Sequence, residues 1–141
     1  MTIQERIKRV AKKMGIAYIY HNWTSANVML ESVKLPVMVN VLPVSGFFHL
    51  DGYQLKESAN CLVAFLDKTD FDFDAEENDT IVEKMKQKAK RFLRELNDDG
   101  GFEEIDLTNV RYEVVYDKMD INLTGIILDL SLRKTEGDCM A

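Results

Sequence analysis

The fold turns on the stretch Ser58-Ala59-Asn60-Cys61-Leu62-Val63-Ala64-Phe65-Leu66-Asp67. Leu62, Ala64 and Leu66 fall on one face of an extended chain, and Cys61, Val63 and Phe65 on the other. A strand that is apolar on both faces belongs in the middle of a sheet, covered on both sides. Everything else in the chain can be placed around it.

Downstream lies a long amphipathic helix. Ile81, Met85, Ala89, Phe92 and Leu96 form an apolar stripe, reinforced by Val82 and Leu93. Asp74 with Glu77 gives an N-terminal capping signal. Glu76, Glu77 and Asp79 suit the positive end of the helix dipole. Asn97-Asp98-Asp99-Gly100-Gly101 ends the helix. Beyond it, Val110, Tyr112, Val114 and Tyr116 alternate with polar residues, which predicts a strand with one buried face. A turn over Asp117 to Asp120 leads to the last strand. There Ile121 and Leu123 have one parity, and Ile126, Leu128, Leu130 and Leu132 the other. Gly125 lies between them, so a β-bulge is expected at that point. Thr135 to Ala141 read as a frayed tail.

Upstream, Ile3, Ile7, Val10 and Met14 define one face of a first helix, with Thr2 and Glu5 as its capping box and Gly15 as its stop. Ile16 to His21 is dense in β-branched and aromatic residues and predicts a strand. Asn27 to Val33 is a weaker candidate. Leu35 to Val44 is a further strand, with prolines near its ends. Ser45-Gly46 breaks it, and Asp51-Gly52 forms the next turn. The order of helix, strands, helix and hairpin predicts an α+β fold. Its expected form is an antiparallel or mixed β-sheet with the N-terminal helix and the long central helix on one face. The expected boundaries are a single domain over 1–134 and a flexible tail over 135–141.

The 141 residues and 46% hydrophobic content suffice for one core without disulfide staples. With a net charge of −6, the chain is a poor prospect for binding a phosphate backbone, so no specific nucleic-acid partner is expected. The basic runs Arg6–Lys13 and Lys84–Arg94 are expected to be solvated helix faces. The start of the chain has no apolar core of a leader, and no apolar run reaches the ~18 residues of a membrane span. A cytosolic protein with no membrane partner is therefore expected.

The residues that could carry chemistry do not assemble into a recognised pattern. Asp70-Phe71-Asp72-Phe73-Asp74-Ala75-Glu76-Glu77-Asn78-Asp79 looks like a calcium loop. However, Ala75 stands where such a loop needs glycine, and Ile81 where it needs a bidentate glutamate. His21 and His49 have no partner at ligand spacing, so each is expected to be a half-exposed strand histidine. Cys61 sits in an apolar run and lacks the electropositive setting of a nucleophile. Trp23 with Tyr18 and Tyr20 could stack on bases, but no basic residues accompany them. No catalytic residue, metal or cofactor is expected.

Three stretches resemble tail terminator (tail completion) proteins of tailed phages and prophages. They are Leu62-Val63-Ala64-Phe65-Leu66-Asp67-Lys68-Thr69-Asp70-Phe71-Asp72-Phe73-Asp74, the helix end Phe92-Leu93-Arg94-Glu95-Leu96-Asn97, and Asp117-Lys118-Met119-Asp120-Ile121-Asn122-Leu123-Thr124-Gly125-Ile126-Ile127-Leu128. The resemblance implies an α+β subunit of a six-membered ring. The ring would cap the tail tube and present a surface to head–tail connector proteins, in the bacterial cytoplasm during assembly and later in the virion. No cofactor follows from it. Expected interface residues are Trp23, Phe47, Phe48, Asp67, Asp70 and Asp72. Three alternatives stay open: a head–tail connector subunit, a generic bacterial interaction domain, and a small enzyme or ligand binder.

Overall fold

The structure, a computed structural model, describes residues 2–22, 34–68, 75–99, 105, 107–108, 110–118, 123–133 and 137–140. Its elements are α1 (Ile3–Met14), β1 (Ala17–Asn22), β2 (Val37–Asp51), β3 (Gln54–Lys68), α2 (Ala75–Asp98), β4 (Arg111–Lys118), β5 (Leu123–Arg133) and β6 (Asp138–Cys139). The sheet runs β1-β2-β3-β5-β4, with β6 beside β3. β1 is parallel to β2, while the other pairs are antiparallel. The chain is thus α+β with a mixed sheet, and β3 is central as its two-faced pattern required, although Leu62, expected to be covered, is 39% exposed.

α1 forms because its ends are satisfied locally. Thr2 Oγ1 accepts from the Glu5 backbone N–H at 3.1 Å, and the Thr2 N–H donates to Glu5 Oε2 at 2.9 Å. Gly15 closes the helix at φ 69°, a left-handed conformation that glycine adopts without a Cβ penalty. Ile3, Ile7, Val10 and Ala11 are buried. In α2 the whole stripe Ile81, Met85, Ala89, Phe92 and Leu96 is buried. Both helices share one core with Met38 of β2, with Ala59, Cys61, Val63 and Phe65 of β3, and with Ile126, Leu128, Leu130 and Leu132 of β5. Phe65 and Phe92 meet edge to face at a centroid distance of 5.4 Å.

The opposite face of the sheet holds a second buried cluster of Ile19, Val37, Val39, Ala64, Leu66 and Leu123. This explains the parity change in the last strand. β3 and β5 pair without interruption from Lys68↔Leu123 to Ser58↔Arg133. Leu123 therefore faces the second cluster and Ile126 onward the first, and β5 has no bulge against β3. The irregularity lies between β4 and β5, where the register shifts between Val115 and Lys118. Gly125 has a different role. A Cβ there would lie 1.9 Å from the Phe65 carbonyl oxygen, so the two central strands approach too closely for a side chain.

Other expectations are also corrected. Ser45-Gly46 does not end a strand, because β2 continues to Asp51 after a register shift between Val41 and Ser45. Pro43 falls within that shift, where a missing N–H costs no ladder bond. The row Tyr112, Val114 and Tyr116 is exposed, not buried, because β4 is an edge strand. Asp138–Cys139, expected in a frayed tail, pair with Gln54 and Leu55, and the Met140 N–H donates to the Tyr53 carbonyl at 2.7 Å. The candidate strand over Asn27–Val33, the acidic run Asp70–Asp74, the cap Asp74 and Ile121 lie outside the described residues.

Arg6 is not on a solvated helix face. It is 2% exposed and joins the two helices. Its Nη2 donates to the carbonyls of Leu96 and Asp99, at the carbonyl-rich end of α2. Arg9 Nη2 reaches both oxygens of Asp99, at 2.5 and 2.6 Å.

Candidate interaction surface

β2 and β3 form a long hairpin, of which β5 covers only part. β5 pairs with β3 as far as Ser58, whereas the hairpin continues to the turn at Gly52, where φ is 62°. Beyond Phe47↔Ser58, the outer segment from Phe48↔Glu57 to Asp51↔Gln54 is a two-stranded arm with only β6 beside it among the described residues. A two-stranded ribbon has no layer of its own to bury a side chain under. The arm is nonetheless apolar: Phe48 is 73% exposed, Tyr53 76%, Leu50 64% and Phe47 48%. Phe48 and Leu50 alternate with Phe47 and His49, so both faces of the ribbon are involved. The Phe47 and His49 rings lie 5.8 Å apart. Lys56 Nζ sits 2.9 Å from Asp51 Oδ2 and holds that exposed carboxyl below the ordinary range. Gly46 lets the strands close where the arm begins, since a Cβ there would lie 2.5 Å from the Ser58 carbonyl oxygen.

Phe47 and Phe48 are thus placed where an interface needs them. Asp67 is not near them. It lies at the far end of β3, ten positions beyond Glu57, the residue opposite Phe48. At ~3.3 Å per residue that is a separation of roughly 30 Å. The Asp67 carboxylate accepts from the Lys68 backbone N–H at 2.8 Å. Trp23, Asp70 and Asp72 lie outside the described residues.

A second surface, with no signal in the sequence, lies along the flank of α2 beside β4. A groove of about 580 Å³ is lined by Gln87, Lys90, Leu93, Arg94, Leu107, Thr108 and Val110. Next to it, Lys86 Nζ stands 5.2 Å from the Tyr112 ring centre. Tyr116 Oη donates to Asp79 Oδ1 at 3.0 Å. Tyr112, Val114 and Leu107 are 46%, 39% and 50% exposed.

Cys61 and Tyr18 sit inside the fold. Cys61 is 2% exposed, and burial pushes its thiol up to about 11. It is a small core residue, as its apolar neighbours suggested. Tyr18, also raised by burial, to about 12, accepts from Asn40 Nδ2 at 3.2 Å. A cavity of about 130 Å³ lies near this pair, between the start of α1 and the sheet. His49 is half-buried on the arm, and the His21 side chain lies outside the described residues. No described helix is long and apolar enough to cross a membrane.

Comparison with known proteins adds no relative: no protein-family model matches the chain, and no curated protein matches it in sequence.

Proposed function

We propose that this protein is a non-enzymatic assembly subunit. In this reading it self-associates through the β2–β3 arm and serves as a tail terminator of a tailed phage or prophage. Copies form a ring, six-membered as the resemblance implies, that ends the tail tube and presents a surface to the head–tail connector. The observation that carries self-association is the arm, with Phe47, Phe48, Leu50 and Tyr53 displayed on a ribbon that cannot cover them. Large exposed aromatics in one patch mark an interaction surface, and aromatic anchors dominate the energetics of such surfaces. The specific role in a phage tail is supported by the resemblance of the three stretches, Leu62–Asp74, Phe92–Asn97 and Asp117–Leu128.

The double substitution Phe47→Ala with Phe48→Ala tests the arm. Both side chains project outward, so unfolding should be unchanged when measured at a concentration where both proteins are monomeric. Self-association, read by sedimentation velocity, should weaken about 30-fold, the equivalent of a ~2 kcal/mol hot spot. Unchanged association would remove the arm from the interface.

A further inference from the structure

We infer that the arm of one copy seats in the α2–β4 groove of a second copy. This rests on the self-association proposed above and names the surface that receives the arm.

The two surfaces match in chemistry. The groove is lined by the apolar side chains of Leu93, Leu107 and Val110 and by the basic ones of Lys90 and Arg94. Its volume of about 580 Å³ gives room for a pair of bulky side chains. The arm offers Phe48 and Leu50 as neighbours on one face of the ribbon, both more than half exposed. Burying an aromatic side chain removes ~150–250 Å² from water. Phe48 and Leu50, on the face that enters the groove, thus supply part of the ~800 Å² per partner of a standard interface.

Charge points the same way. The chain carries a net −6, so two copies repel over most of their surfaces. The groove is a local exception: Lys90 and Arg94 line it, while Lys86 beside it is paired with Glu83 at 2.8 Å and Lys84, Lys88 and Arg91 fall outside its lining, turned away around the helix. The arm brings Asp51 to the groove, its carboxylate 64% exposed beside Lys56. That pairing steers encounter more than it adds affinity. An arm-on-arm contact would instead leave Leu107 uncovered.

The geometry also decides the kind of assembly. Arm and groove are different surfaces of one chain, so their contact is head-to-tail. Each copy keeps a free arm or a free groove until the series closes into a ring.

The experiment mixes two variants. Phe48→Asp spoils the arm and Leu107→Asp spoils the groove, both at exposed positions; circular dichroism and thermal melting confirm that each is folded. Each variant alone should self-associate at least tenfold more weakly than wild type. Mixed, they should form a 1:1 heterodimer and nothing larger, because one intact groove and one intact arm remain between them. Native mass spectrometry of the pair, one of them isotopically labelled, reads this directly. If Leu107→Asp alone self-associates like wild type, or if the mixture gives no heterodimer, the arm does not use this groove. The proposed function survives that result as long as wild type self-associates. A wild type that is monomeric at all concentrations overturns both.

Discussion

Phe92→Ala is expected to cost about 3–5 kcal/mol of folding stability. Phe92 is fully buried in α2 and lies against the Phe65 ring of the central strand, at 5.4 Å and an interplanar angle of 62°. Truncation removes the transfer free energy of the ring and leaves a cavity between the long helix and the sheet. It also deletes an edge-to-face pair worth about 0.5–1.5 kcal/mol beyond its area. Phe92→Leu fills most of the volume and should cost about 1.5 kcal/mol. Urea unfolding at one fixed protein concentration checks both values. The concentration must be held because an assembling protein gains apparent stability by mass action. A loss below ~1 kcal/mol for Phe92→Ala would mean that α2 is not packed on β3 as described.

Arg6→Ala should cost about 3 kcal/mol, the lower end of the range for breaking a buried ion pair. The guanidinium holds the C-terminal turn of α2 through the Leu96 and Asp99 carbonyls, and its Nε lies 3.4 Å from Asp99 Oδ2. The loss is not larger because Arg9 still reaches the Asp99 carboxylate. Arg6→Lys should recover only part of the loss, since a single ammonium cannot span two carbonyls and a carboxylate as a planar fork does. Arg9→Ala should cost only about 1 kcal/mol, because the Arg9 side chain is 43% exposed. The same cluster predicts an acid dependence. Burial acts to raise the Asp99 pKa, but the hydrogen bonds and charge of Arg9, with Arg6 and Lys13, outweigh it and hold the carboxyl below its usual range. A carboxyl lowered by folding stabilises the fold above its unfolded pKa of about 3.9, and that contribution disappears as pH falls through the folded value. Between about pH 5 and pH 2 wild type should therefore lose more stability than Asp99→Asn. Parallel curves for the two proteins would show that Asp99 contributes nothing through its charge.

These two predictions differ in how legible their residues are in the sequence. Phe92 belongs to a stripe at helical spacing, and the whole stripe is buried. The capping box of α1, its glycine stop and the two-faced β3 are local or strictly periodic features, so they could be read directly. Arg6 could not. It sits in a run of basic residues, and only the packing of α1 on the end of α2, 90 to 93 residues later, buries it. Sheet position misled the reading in the same way. Tyr112, Val114 and Tyr116 alternate as a buried face would, but alternation does not tell an edge strand from a central one. In β5 the change of parity reflects two buried faces, because Leu123 belongs to a second cluster that no single-faced pattern suggests. Phe47 and Phe48 were legible as candidates, though not as parts of a ribbon that extends past the sheet. Asp67 shares their strand but stands at its other end. The α2–β4 groove is built from segments distant in sequence, among them Leu93 and Leu107, and leaves no local signal.

The central claim is that this chain works by assembling with copies of itself. Native mass spectrometry of the wild-type protein across a wide concentration range, with negative-stain images of any large species, tests it most directly. A discrete closed ring is expected, with six copies. A strict monomer at every concentration would contradict it.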